Sequence, residues 1–214
     1  MATGVQARVA LAATTNTTIA AQPASGKAQV LTVSLTNIGA TAGTFNLAVV
    51  AAGGTTPGAG DYIEYQQPLA GTTTFEKTGI LIQNGQTLVA YSTVANVNAV
   101  VYGMEENVVA ATGVFKFSPA ATTWTSLTAG PASGRIQTVN LNVTNPTTAS
   151  IFLRVAVSTT PTSPSAGDYI EYDAGIAAGA TLERTGIVLN NTIGIGAYAS
   201  AAGLHIQLAV VDDA

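Results

Sequence analysis

The chain has 214 residues, enough for two domains of about 100 residues, a size at which one core folds without metal or disulfide support. Only 8% of residues are charged, with 7 Lys and Arg and a net charge of −4; this excludes the basic surface that phosphate-backbone binding needs, so no nucleic-acid partner is expected. Cysteine is absent, which removes disulfides, thiol chemistry and thiolate metal sites. The mean hydropathy is +0.37, yet Thr, Asn or Gly breaks every apolar run well short of the roughly 18 residues a spanning helix needs, so no membrane partner is expected either. The start, Met1 to Gly4, lacks the basic and apolar regions of a signal peptide. A chain this apolar and this poor in charge is expected to cover part of its surface with copies of itself or another partner.

Taken in order, the chain reads as short strands. Residues 5–11 alternate with period two, placing Val5, Ala7, Val9 and Leu11 on one face and Gln6 and Arg8 on the other. Pro23-Ala24-Ser25-Gly26 predicts a turn. Across residues 28–37, Leu31, Val33 and Leu35 alternate with Val30, Thr32, Ser34 and Thr36, the pattern of a strand with one buried and one wet face. Further strands are predicted at 45–51, 61–65, 73–76, 80–82, 87–91 and 97–104, each with a counterpart later in the chain. The later match to residues 28–37 is the sharper one, with Val139, Leu141 and Val143 set against Asn140, Asn142 and Thr144. No segment has capped apolar residues at three-and-four spacing, so helices are not expected.

The counterparts arise from an internal duplication. Gly60-Asp61-Tyr62-Ile63-Glu64-Tyr65 recurs letter for letter as Gly167-Asp168-Tyr169-Ile170-Glu171-Tyr172, a spacing of 107. The same spacing carries Phe75-Glu76-Lys77-Thr78-Gly79-Ile80 onto Leu182-Glu183-Arg184-Thr185-Gly186-Ile187, and Tyr91 onto Tyr198. Upstream, Pro23 to Lys27 matches Pro131 to Arg135 at 108, so the second copy lacks one residue in between. The Gly, Thr, Pro and Ala segment 53–60 is the natural place, because loops absorb such changes. About eight short strands per copy predict an all-β chain of two tandem duplicated antiparallel β-sandwich domains, Ig-like or jelly-roll-like. Residues 1–106 form the first module, 107–113 the linker and 114–214 the second module.

The repeated carboxylates are the first candidates for chemistry. Asp61 and Glu64, like Asp168 and Glu171, are three apart, and odd spacing on a strand sends them to opposite faces, so they do not form an acid/base pair. Asp is expected to bond turn amides while Glu sits outward or meets a cation. Calcium is the sharper alternative, though no ligand-dense loop of Asp-x-Asp-x-Asp-Gly type is present. Glu76-Lys77 and Glu183-Arg184 predict a surface or inter-subunit ion pair. The one histidine, His205, aligns with Asn98; being unshared, it is expected in a surface or core role, and alone it makes no ordinary zinc site. No Gly-x-Ser-x-Gly elbow occurs, and Gly194-Ile195-Gly196 lacks the third glycine of a dinucleotide loop. No catalytic residue, cofactor or metal is therefore expected. The candidate interaction residues are Tyr62, Glu64, Tyr65, Tyr169, Glu171 and Tyr172 of the repeated motif, and Trp124, which aligns with Asn16. The paired tyrosines could offer rings for sugar stacking, and a carbohydrate-binding module is one alternative reading.

The block Gly60 to Tyr65, followed by Phe75 to Ile80 and the ending Tyr102-Gly103-Met104-Glu105-Glu106, resembles a module of virion structural proteins in tailed bacteriophages, notably those of cyanobacteria and other aquatic bacteria. The resemblance covers nearly the whole of both copies, while the second departs from it at Leu208 to Asp213. It implies a non-enzymatic protein of the virion, assembled in the host cytoplasm, and carries no catalytic residues to transfer. A capsid decoration or cement protein is the first expectation, with the major capsid protein, other virion proteins and copies of itself as partners. A neck, tail, baseplate or fibre component is the alternative.

Overall fold

The computed structural model describes residues 3–108, 112–190 and 192–213. Two compact units divide the chain, Met1–Val108 and Val109–Ala214; residues 109–111, inside the predicted linker, lie outside the described residues. The first unit contains β1 (Thr3–Leu11), β2 (Thr17–Ala20), β3 (Lys27–Asn37), β4 (Gly43–Ala51), β5 (Tyr62–Leu69), β6 (Thr74–Gln83), β7 (Gln86–Ser92) and β8 (Val97–Asn107). These form two antiparallel sheets, β1-β8-β3-β6 and β2-β7-β4-β5. Only β4 and β5 are both consecutive and paired, so every other connection crosses from one sheet to the other. That is the eight-stranded jelly-roll order; an Ig sandwich would keep more sequential strands side by side in one sheet.

The second unit repeats this arrangement. Strands β9 (Gly113–Phe117), β10 (Trp124–Thr128), β11 (Ile136–Thr144), β12 (Ile151–Ser158), β13 (Tyr169–Ile176), β14 (Thr181–Asn190), β15 (Gly194–Ala199) and β16 (His205–Asp213) form the sheets β14-β11-β16-β9 and β10-β15-β12-β13. The predicted fold class is borne out, in its jelly-roll branch. Ala48 pairs with Tyr62, and Ala156 with Tyr169, so the spacing changes from 108 to 107 within the β4–β5 connection. The single helical turn among the described residues is a 3-10 turn, Ala59–Asp61, and no helix there is long and apolar enough to cross a membrane.

Alternation explains most of the core. Leu31, Val33 and Leu35, and likewise Val139, Leu141 and Val143, lie buried between their sheets, each full burial contributing about 1.5–3 kcal/mol. Departures from alternation have local causes. Val5 is 54% exposed because a register shift between Val5 and Ala7 turns it off the inward row. Strand β2 was not predicted; it buries only Ile19 and Ala20 and shows no clear period. The predicted strands at 73–76 and 80–82 are one strand, β6, with a bulge between them. Leu31 pairs with Ile80 but Val33 pairs with Lys77, and Gly79 takes φ +71, the backbone region a bulge glycine supplies. Gly186, at φ +69, does the same in β14, where Val139 pairs with Ile187 and Leu141 with Arg184.

This bulge decides where the repeated charges point. Lys77 and Ile80 are three apart, so strict alternation would separate them; the extra residue turns both inward. A second shift in β5 leaves Tyr62 beside outward Ala48 and Glu64 beside inward Leu47. Lys77 Nζ therefore meets Glu64 Oε1 at 2.8 Å, with side chains only 4% and 9% exposed. Because β5 and β6 are edge strands of different sheets, the pair ties the two sheets together along one edge. Arg184 and Glu171 make the same pair in the second unit, with side chains 44% and 13% exposed. Both pairs lie within a module rather than between subunits: Glu64 meets a cation, one of its two expected roles, in a buried pair that corrects the expected surface placement of Lys77, while Arg184 stays exposed. Glu76 instead accepts a hydrogen bond from the Tyr102 hydroxyl at 2.8 Å.

His205 starts β16, half-buried, with Nδ1 3.0 Å from Ser118 Oγ.

Two outcomes follow from these placements. Lys77→Met should take the cation from a buried carboxylate and cost about 3–5 kcal/mol, whereas Arg184→Met, in a wetter pair, should cost about 1 kcal/mol or less. Adding Glu64→Leu to Lys77→Met should recover much of the loss, and urea unfolding of the intact chain reads all three; equal losses at Lys77 and Arg184 would contradict the assignment. For His205, burial holds the imidazole pKa below its ordinary value. Its neutral form then contributes stability that is full above the unfolded pKa, about 6.5, and is lost as pH falls from there through the folded value. His205→Asn should flatten that part of the melting-temperature profile, and an unchanged slope would count against it.

Candidate interaction surface

The outer face of the β10-β15-β12-β13 sheet carries a row of aromatic and charged side chains. Leu153, Val155, Ala197 and Ala199 fill the inner face, so Arg154 and Tyr198, between them in sequence, project outward. Register sets Trp124 opposite Tyr198, and Tyr198 opposite Arg154. The Trp124 and Tyr198 rings are 5.9 Å apart, and the Arg154 guanidinium lies 5.2 Å from the Tyr198 centroid and 4.4 Å from that of Tyr172. Both distances are within cation–π range. Tyr169 meets Tyr172 edge-on at 5.0 Å and Trp124 at 5.9 Å.

Asp173 completes the row. It holds a left-handed backbone conformation at φ 50, and its carboxylate accepts from Arg154 Nε at 2.6 Å and Nη2 at 3.0 Å. This two-pronged bond holds the Asp173 carboxyl below the usual carboxylate range and raises the pKa of the guanidinium. The loop after β12 walls one side: a Cβ on Gly196 would lie 1.9 Å from the Pro161 carbonyl oxygen, so glycine is needed for the loop to rest on the sheet. Asp168 ends that loop by accepting from the Ser165 amide at 2.8 Å, a bond that lowers its pKa, with the Ser158 hydroxyl adding to the effect. Asp61 accepts from the Gly58 amide at 2.7 Å, so the turn-bonding role predicted for both aspartates holds. Between loop and strand lies a shallow cleft of about 410 Å3 lined by Ala166, Tyr169 and Tyr172.

The first unit presents a different face. Tyr62 and Tyr65 form a similar edge-on pair at 4.8 Å, but Tyr62 packs on Ala48, Val50 and Val89, and that burial, with Tyr65 and Asp61 nearby, raises its phenol pKa. Asn46 stands opposite Tyr91 where Arg154 stands opposite Tyr198, and its Oδ1 accepts from the Gln66 amide at 2.6 Å. Asn16 aligns with Trp124. Of the candidate residues, Trp124, Tyr169 and Tyr172 come together, Tyr62 and Tyr65 pair in the other unit, and Glu64 and Glu171 turn inward to their ion pairs. Sequence reasoning missed Tyr198, Arg154 and Asp173; the available signal was the contrast between copies, where Asn46 and Gln66 stand in place of Arg154 and Asp173.

Among the described residues no group of three or more His, Cys, Asp or Glu is placed to hold a metal ion. No family model matches the chain, and no curated protein matches it. Among solved structures it is similar to a chain in the atomic structure of Sulfolobus turreted icosahedral virus, at 13% identity over 98% of this chain and 89% of that one, TM-score 0.34. A chain from a study of the triple jelly-roll fold and turret assembly in an archaeal virus is 12% identical over 94% of this chain and 59% of that one, TM-score 0.25. The N-terminal CBM22-1-CBM22-2 tandem domain of Paenibacillus barcinonensis Xyn10C is 10% identical over 90% and 80%, TM-score 0.27. Viral chains are thus among its structural neighbours, at TM-scores and identities too low to carry an argument about this chain.

Proposed function

We propose that the chain is a non-enzymatic structural protein of a virion, specifically a decoration or cement protein that stabilises a phage head through contacts with the major capsid protein, other virion proteins and copies of itself. The observation that carries this reading is the use to which the repeated motif is put. In both copies Asp closes a turn, Glu pairs across the sheets with Lys77 or Arg184, and glycine makes the bulge that turns those cations inward. The duplication therefore preserves what builds a sandwich, and the charged groups and glycines it repeats are occupied in construction.

The surface supports the same reading. Ile136 and Val188 are 47% and 63% exposed on the outer face of the β14-β11-β16-β9 sheet, and Phe152 is 52% exposed on the outer face of its partner sheet. With 8% charged residues, such faces suit contact with a neighbouring protein. A neck, tail, baseplate or fibre component made of the same modules is the neighbouring reading, and stoichiometry separates the two. Quantitative mass spectrometry of purified virions should find on the order of hundreds of copies for a shell protein and about a dozen for a neck or tail part, following the symmetry of each assembly. Absence of the chain from virions would overturn both.

A further inference from the structure

We propose that the row Trp124, Tyr198, Arg154 and Tyr172, with Tyr169 and Asp173, is a binding site for neutral hexopyranose units of a glycan, present in the second module and absent from the first. The inference is independent of the virion reading. It starts from a comparison the molecule makes with itself. Both modules fold into the same jelly roll and share the tyrosines at 62 and 169, 65 and 172, and 91 and 198. The first module achieves this with Asn16, Asn46 and Gln66 where the second has Trp124, Arg154 and Asp173. The aromatic and charged row is therefore not a requirement of the fold.

The chemistry of the row selects a ligand class. Asp173 neutralises Arg154 through a two-pronged bond, so the row offers no net charge to an anion or a cation. Aromatic faces favour a flat ligand with an apolar side. Tyr172, 61% exposed, presents such a surface beside the cleft. Two of the five guanidinium N–H groups are engaged by Asp173, which leaves donors on Arg154 beside acceptors on a carboxylate that is 45% exposed. Donors and acceptors side by side match vicinal hydroxyls, each of which both donates and accepts. A pyranose ring combines the apolar face with the hydroxyl edge, and a cleft of about 410 Å3 beside Tyr169 and Tyr172 falls within the range of small-ligand sites.

Trp124 is the chain's one tryptophan, so indole emission from the intact protein reports on this row alone. Titration with neutral tetrasaccharides of glucose, galactose, mannose and N-acetylglucosamine, at millimolar concentration, should give a saturable change with at least one of them. Arg154→Asn, which installs the first module's residue, should weaken that binding roughly tenfold or more, the scale of a lost hydrogen bond to a charged group. Tyr172→Ala should weaken it similarly, while Tyr65→Ala, in the first module, should leave it unchanged. Far-UV circular dichroism and thermal melting establish that each variant is folded; Tyr172 and Arg154 lie on the outer face, and should either variant unfold, Trp124→Asn followed by calorimetry tests the same row. No saturable response to any of the four sugars overturns the proposal. So does binding indifferent to the row variants, or a response confined to a proline-rich peptide titrated in parallel, which would mark the row as a protein contact.

Discussion

The structure depends on an apolar layer that two four-stranded sheets bury between them, and on keeping inward side chains in register where strands bend. Leu31, Val33 and Leu35 face Leu47 and Val49 across that layer, and Val139, Leu141 and Val143 face Leu153 and Val155 in the second unit. A one-residue slip would carry a whole row to the solvent side. The bulges at Gly79 and Gly186 let the chain break alternation once without losing the row. They turn Lys77 and Arg184 inward, where each meets a glutamate from the edge strand of the other sheet. The Lys77–Glu64 pair is buried, and such a pair adds little stability over an apolar substitute although losing one partner is costly; the Arg184–Glu171 pair is more exposed and weaker.

The two copies use this frame differently. In the first, the outer face near Tyr62 is filled by Val89, Ala48 and Val50, and an asparagine takes the place of the arginine. In the second, Gly196 stands where Val89 does, the Pro161 carbonyl rests over it, and Arg154 sits between two tyrosines. Duplication allows this division, since one copy can hold the shared architecture while the other gains surface chemistry.

Much of the fold was legible because period-two alternation and an exact hexapeptide repeat are strong signals. Strands β3 and β11 announce themselves through three inward aliphatics each, and the aspartates' turn role follows from their place after loops of Gly, Pro, Ser and Thr. Strand β2 was illegible because Thr17–Ala20 buries just two side chains and has no polar-apolar rhythm. Strand β6 reads as two because the bulge interrupts its period. The same bulge hides the direction of Lys77, and the shift in β5 hides that of Glu64, so local alternation does not show that the two meet between sheets. Trp124 stood out by its rarity, but Arg154 and Tyr198 are brought together by pairing of β12 with β15, a long-range contact that no local motif encodes.

The central claim is that one jelly roll was laid down twice, each copy with the same central strands and the same closed edge. Native-state hydrogen exchange on the intact chain, resolved by residue, tests this most directly, because exchange ranks amides by the opening that exposes them. The slowest amides should lie in β3, β8, β4 and β7 and in their counterparts β11, β16, β12 and β15, with the edge strands exchanging faster in both halves. Protection concentrated in different strands of the two halves, or strongest along β1 and β2 as a consecutive hairpin, would contradict it.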